Sequence, residues 1–137
     1  MTCLRSWHDA QVIVGSGVGL VDVPRFARLM ERYGPRVRAR VFTTGEQAYA
    51  SRRAPRSALQ SLAVRFAAKV AARRALGARG IALRDVEVVR ARGAAPTLRF
   101  HADAAARAHA RGVTRASLTL THDALCCIGH VVLERES

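Results

Sequence analysis

The stretch RFAAKVAARRALG, Arg65–Gly77, decides how the rest of the chain is read. It has the pattern of a helix, and its basic residues fall at Arg65, Lys69 and Arg73. Four-residue spacing stacks side chains on one face of a helix. A cationic stripe of that kind suits a phosphate. Phosphoryl chemistry usually also uses carboxylates to hold a metal ion, yet this stretch contains neither Asp nor Glu. Two readings follow: a phosphate-handling helix without its metal, or the solvated face of a structural helix.

Outward from that helix, the 137 residues suit a single domain, and a hydrophobic content of 50% supports a real core. No window offers the roughly 18 uncharged apolar residues that a membrane helix needs. The opening MTCLRSWHDAQVIV lacks a long apolar segment with a cleavage site. Residues 1–11 are expected to form a short leader, and 12–135 a single domain. Cys126 and Cys127 are adjacent in an apolar run, where strand neighbours point to opposite faces. With Cys3 they make neither a metal spacing nor a disulfide framework, so a reducing, cytoplasmic setting is expected. The net charge of +13 attracts anions: nucleic acid, membranes, acidic proteins or phosphorylated small molecules. Lys69 is the only lysine, and a GC-rich genome also favours arginine and alanine, so charge alone selects no partner.

Along the chain, QVIVGSGVGLV (11–21) predicts a strand broken by a turn at its glycines. Asp22 before Val23-Pro24 predicts a helix start, with Asp22 as N-cap. Phe26, Leu29, Met30 and Tyr33 mark the apolar face of that helix, and Gly34-Pro35 its end. Arg25, Arg28 and Arg32 give it a basic face as well. A short helical piece is expected at 35–41. Thr43 and Glu46 have capping-box spacing at the next helix. Ser57–Leu76 is the longest helix, stopped by Gly77. VEVVRA (86–91) and PTLRFH (96–101) predict a hairpin around Gly93. A helix over 102–112 and strands over 116–122 and 126–134 complete the order β-α-α-α-β-β-α-β-β, an α+β domain.

Several chemistries are disfavoured. GSGVGL departs from a dinucleotide fingerprint, because Leu20 stands where the third glycine belongs and no alternating βαβ pattern follows. The histidines at 8, 101, 109, 122 and 130 show no zinc spacing with cysteine. There is no G-x-S-x-G nucleophile motif. His122 beside Asp123 reads as a general base, a phosphate ligand or a turn histidine. The arginine stripes suit nucleic-acid phosphates, but with aromatics at 5% no stacking platform is visible. Residue chemistry alone gives a basic α+β domain that binds something anionic.

The collinear order of segments goes further. GSGVGLVDVPRF (15–26), MERYG (30–34), RVFTTGEQAYA (40–50), RFAAKVA (65–71), DVEVV (85–89), SLTLTHD (117–123) and VVLE (131–134) follow one another as in the small holo-acyl-carrier-protein synthases. The chain resembles that family of the 4′-phosphopantetheinyl transferase superfamily from about residue 12 to 135. The resemblance implies a small antiparallel sheet with one long helix, and a homotrimer with active sites between subunits. It implies transfer of the phosphopantetheine arm of coenzyme A to a serine of an acyl carrier protein, in fatty-acid or polyketide synthesis. Mg²⁺ would bridge the coenzyme's pyrophosphate to two carboxylates, one from G-x-D-I and one from K-E-A.

Departures fall where that chemistry lies. The Asp aligns with Gly19 and the Glu with Val70. The G-T-G-I loop is GARGI (77–81) here, and the G-K-P turn is AAP (94–96). No protein metal ligand remains at the family positions, and Mg²⁺ becomes doubtful. Asp22, which aligns with another family acid, is explained by its cap role, and Glu46 matches the F-T-x-x-E acid. The resemblance implies coenzyme contacts from Arg65, Lys69, Arg73 and His122, and docking of an acidic carrier helix on Arg25, Arg28 and Arg32. The expectation is a carrier-binding protein, with coenzyme A as a ligand and transferase activity weak or lost. It would act as a homotrimer or beside an active relative. A working transferase with a rearranged metal site, a nucleic-acid-binding module, and reuse of the fold for another reaction remain as alternatives.

Overall fold

The computed structural model describes residues 11–90 and 93–137. Apart from Gln11, the leader expected at 1–11 lies outside the described residues, as do Cys3, His8 and Ala91. The elements run β1 (Gln11–Asp22), α1 (Val23–Val41), α2 (Thr44–Ser51), α3 (Pro55–Leu76), β2 (Val86–Val89), β3 (Thr97–Phe100), α4 (Ala102–Ala110), β4 (Arg115–His122) and β5 (Cys126–Glu136). A 3₁₀ turn, Leu83–Asp85, leads into β2. The strands form an antiparallel three-stranded sheet in the order β1-β5-β4 and a separate antiparallel pair, β2-β3.

The order is the one read from the sequence, with two corrections. The turn expected in GSGVGL does not occur, and β1 continues through all its glycines. A Cβ on Gly15, Gly17 or Gly19 would lie 2.1 Å from the carbonyl oxygen of Ala75, Ala71 or Ala67 respectively. Four helical residues rise about 6 Å, and two strand residues rise about 6.6 Å. One turn of α3 therefore matches every second residue of β1, and the helix backbone rests on the strand. Gly129, paired with Gly19, continues this seam into β5, with a built Cβ 2.9 Å from Ala68 N. These glycines serve close approach rather than a turn.

The second correction concerns α1, which runs past Gly34-Pro35 to Val41 with a kink at Tyr33 (φ −129°, ψ 22°). Proline lacks the N–H that would continue the first segment, but it fits the first turn of the second. Asp22 Oδ1 accepts from Arg25 N at 2.9 Å and caps the start, as its spacing predicts. Thr43 and Glu46 close the expected capping box on α2. α3 starts at Pro55 rather than Ser57, because proline is favoured at the first helical position. It ends at Gly77 in a left-handed conformation (φ 70°).

Two buried clusters lie on either side of α3's midpoint. One joins Leu76, Ile81, Val86, Val131 and Leu133, and the other joins Phe26, Met30, Phe42, Leu62 and Cys127. Cys127 points into the core and Cys126 away from it, as adjacent strand residues must. Burial pushes the Cys127 thiol up to about 11. Among the described residues no helix is long and apolar enough to cross a membrane.

Candidate functional site

The basic stripe on α3 is not a solvated face. Lys69 is fully buried, and its Nζ lies 2.6 Å from Glu46 Oε1. It also donates to Leu83 O at 3.2 Å and to Val86 O. Burial pushes the lysine below its usual value, against the pull of Glu46. Glu46 is committed on both oxygens: Oε1 also accepts from Thr43 N at 2.9 Å, and Oε2 from Val88 N at 3.0 Å. The capping box on α2 thus carries a second task, since its acid also neutralises a lysine inside the core.

One turn earlier on the same face, Arg65 is 6% exposed and reaches a cavity. Its Nη1 donates to Ser61 Oγ at 2.6 Å and to Ser61 O at 3.2 Å. Its Nε is buried with no acceptor. Burial lowers the Arg65 pKa, with Glu46 and Tyr49 opposing. The guanidinium stacks on the Tyr49 ring, 4.4 Å from its centroid, and Arg53 lies 4.7 Å from the same centroid. Burial alone would raise the Tyr49 phenol. The hydrogen bond from Arg53 and the charges of Arg53, Arg65 and Arg90 outweigh it and bring the phenol below its usual value.

The cavity has a volume of about 530 Å³; Arg53, Arg65, Arg90, Ser57, Gln60 and His122 are among its lining residues, and no acid is. Gln60 Nε2 donates to Asp123 O at 3.0 Å, which fixes the orientation of the amide. The same nitrogen lies 3.1 Å from His122 Nδ1, which ties the ring to the amide. Asp123 does not orient His122. Its Oδ1 accepts from Leu125 N and Cys126 N at 2.8 and 2.9 Å, closing the β4–β5 turn and holding the carboxyl below its usual value. A cavity lined by three guanidiniums, hydroxyl and amide groups and an imidazole, with no acid among its lining residues, suits a phosphorylated ligand.

Of the four residues expected to contact coenzyme, Arg65 and His122 share this cavity. Lys69 is sealed beneath it. Arg73 lies elsewhere, in a second cavity of about 560 Å³ lined by Arg73, Arg74, Gly77, Ala78 and Arg79. Arg25, Arg28 and Arg32 stand exposed on α1, and Arg25 borders an apolar groove formed with Leu20, Phe26, Leu29 and Phe66.

The two positions of the implied metal ligands do not fit a metal. Gly19 brings no donor, and a Cβ there would collide with Ala67 O, so no carboxylate can be accommodated while α3 rests on β1. Val70 offers only an apolar side chain. Asp22 is engaged as a helix cap and Glu46 in its buried pair. Among the described residues no group of three or more His, Cys, Asp or Glu side chains is placed to hold an ion.

Sequence reasoning missed Tyr49, Arg53, Gln60, Ser61 and Arg90 as cavity residues. Ser61 and Arg65 are four apart on α3, so that pair could have been seen as a shared helix face, whereas Arg53 lies in the bend between α2 and α3 and meets the Tyr49 ring only in the fold. Arg90 gave no local signal.

Comparison with known proteins agrees with this architecture. The family model of the 4′-phosphopantetheinyl transferase superfamily matches residues 15–126. A holo-acyl-carrier-protein synthase of Solibacter usitatus is 41% identical over 126 residues, covering 90% of this chain and 99% of its own. The holo-acyl-carrier-protein synthase of Neisseria meningitidis superposes with a TM-score of 0.80 at 26% identity, over 90% of this chain and 100% of that one. The holo-acyl-carrier-protein synthase of Bacillus anthracis, solved in complex with CoA (3′,5′-ADP), has a TM-score of 0.74 at 23% identity over 92% of this chain and 99% of that one.

Proposed function

From the chain's membership of the holo-acyl-carrier-protein synthase family, within the 4′-phosphopantetheinyl transferase superfamily, we propose that it recognises an acyl carrier protein and coenzyme A, while Mg²⁺-dependent phosphopantetheinyl transfer is weak or lost. Packing at Gly19 carries this reading, because the seam leaves no space for the carboxylate that the family chemistry requires. The binding half draws on other features. The cavity around Arg65 offers the charge of three guanidiniums to a phosphorylated coenzyme. Arg25, Arg28 and Arg32 present exposed positive charge beside an apolar groove, the complement of an acidic amphipathic helix. The outer face of the three-stranded sheet exposes Val18, Leu20 and Ile128, which a second copy of this chain would cover in a trimer, or an active relative in a mixed assembly.

The deciding experiment is intact-protein mass spectrometry of several apo carrier proteins incubated with coenzyme A, Mg²⁺ and this protein, with an active synthase as positive control. The expected result is no phosphopantetheine mass gain while the control converts fully. A gain that a chelator abolishes would overturn the loss of transfer and establish a rearranged metal site. Pull-down on immobilised apo carrier protein tests the docking surface. Retention should fall on replacing Arg25 and Arg28 with Glu, and unchanged retention would sink the α1 assignment.

A further inference from the structure

β5 is the middle strand of the three-stranded sheet, and its residues alternate between the core and the outer face. His130 lies on the outer face, with Val18 of β1 opposite it on one side and Thr119 of β4 on the other. Leu20 and Ile128 continue that face in one direction along the strands, and Val132 in the other. Val18, Leu20 and Ile128 are 51%, 64% and 38% exposed, so His130 stands in the middle of an uncovered apolar patch. Neither β1 nor β4 sets a titratable side chain against it, and α3 packs on the opposite side of the sheet. Arg74 reaches the carbonyl oxygen of Val18 from α3 at 2.6 Å, at the free edge of β1.

The patch differs from the rest of the surface in holding no arginine, lysine or carboxylate. Charged side chains begin only two rows away on that face, with Glu134 opposite Arg115 at one end and Asp22, the α1 cap, at the other. A chain of net charge +13 repels its own copies over most of its surface. On this face nothing opposes contact, and burial of apolar area favours it. Interface centres show the same depletion of charge. An acidic partner gains nothing from a face without cations, whereas a second copy of this chain is repelled everywhere else. The charge pattern therefore points to a second copy as the occupant.

We propose that this face joins copies of the chain, and that protonation of His130 at its centre separates them. In a closed symmetric assembly whose axis passes near the middle of the patch, His130 meets its own counterparts among apolar side chains. A neutral imidazole tolerates that setting, with one donor and one acceptor to share. An imidazolium there loses its hydration and faces like charge. Both effects favour the neutral form, so the assembly binds fewer protons than the separate chains. Association is therefore full above the titration of an exposed histidine, about pH 6.5, and is lost as pH falls below it. It should weaken by up to roughly tenfold per pH unit for each chain that takes up a proton. The proposal rests on self-association through this face and not on coenzyme or carrier binding.

The test is sedimentation equilibrium of the full chain at fixed ionic strength, with EDTA to exclude bridging metal, at about pH 8 and about pH 5.5, either side of an exposed histidine's titration. The expected result is an assembled mass at the higher pH, the single-chain mass at the lower, and recovery on return. His130→Gln should stay assembled at both, while His109→Gln, exposed on α4, should dissociate as the parent does. Val18→Arg puts a fixed charge beside His130 and should give single chains at both. Val18 and His130 are exposed in the single chain, so neither substitution disturbs the core, and circular dichroism at each pH checks folding. Single chains of the parent at the higher pH would overturn the proposal together with self-association, and would leave the coenzyme and carrier readings standing. Assembly of the parent at both pH values would overturn the switch and leave self-association standing. Dissociation of His130→Gln in step with the parent would assign the effect to general charge, and assembly of Val18→Arg would move the interface to another face; either overturns the proposal.

Discussion

On one face of α3, Ala67, Ala71 and Ala75 rest on Gly19, Gly17 and Gly15. On another, Arg65 and Lys69 point at Tyr49 and Glu46. Both faces exclude water almost completely. The first does so by removing side chains until two backbones meet. The second keeps charge inside and answers it with an ion pair, a capping box and a stacked ring. Burial alone therefore says little about function. The alanine face is closed to any ligand, metal included, whereas the ionic face opens at its Arg65 end into a cavity lined by three arginines. One helix thus carries a face closed by backbone contact and a face that ends in an arginine-lined cavity.

The largest effect should come from forcing the lost carboxylate back into the seam. Gly19→Asp must push α3 off β1 or bury an unpaired charge, and either should cost at least about 3 kcal/mol. Urea denaturation measures this, and Mg²⁺ should restore none of it. Tolerance of the substitution, with Mg²⁺ raising the midpoint, would break the contrast by showing that the seam opens. The ionic face should be comparably sensitive to losing one partner. Lys69→Met leaves the Glu46 carboxylate buried alone and should cost about 3–5 kcal/mol. Adding Glu46→Gln should recover part of that loss, because Gln removes the uncompensated charge while its one oxygen still accepts from one of the two backbone N–H groups, Thr43 N or Val88 N. A double variant no better than Lys69→Met would show that packing, not the uncompensated charge, dominates there.

This contrast also marks what the sequence could reveal. Helix and strand order were legible because caps, stops and periodicity are local: Asp22, the Thr43–Glu46 box and Gly77 act within a few residues of themselves. The glycines of β1 were not legible, because glycine marks a turn and a close approach equally well. Only the distant α3 distinguishes the two. The four-residue spacing of Arg65, Lys69 and Arg73 does not tell where the stripe points: the acid that draws Lys69 inward belongs to α2, and Arg73 lines a different cavity from Arg65. The resemblance put Arg65 and His122 together, and the structure places both in one cavity. Arg53 and Arg90 join them from α3's approach and from the end of β2. No pattern within either segment announces that meeting.

Where α3 ends, the seam is tied to its surroundings by Arg111, which bridges Ala75 O to Val14 O at the irregularity in β1's pairing. Arg111→Ala leaves two partly buried carbonyls without their donor, and should cost about 1–3 kcal/mol. Hydrogen exchange should locate the loosening at 73–77 and 13–15 rather than around Lys69. Exchange spread evenly over both faces would mean that they unfold as one unit and that the distinction is only geometric.

The smallest expected effect sharpens the ionic side. Glu87 forms a further layer outside Glu46, accepting from Thr43 Oγ1 at 3.1 Å and pairing with His101 Nε2 at 2.9 Å. Burial would raise its carboxyl. The hydrogen bonds from His101 and Thr43, with the charges of His101 and Arg99, outweigh burial and hold it below its ordinary value of 4.5. A carboxyl depressed in the folded state stabilises it above the unfolded value, and that contribution disappears as pH falls through the folded value. Glu87→Gln should therefore lower stability at neutral pH by about 0.2–1 kcal/mol, as for a pair whose histidine is exposed to solvent. The difference from the parent should shrink as pH drops below 4.5, the range in which the carboxyl takes up its proton. Urea midpoints of both proteins across that range measure it. A difference that persists undiminished at the acid end would assign the contribution to the Thr43 hydrogen bond rather than to charge, and would place Glu87 with the neutral packing of the domain.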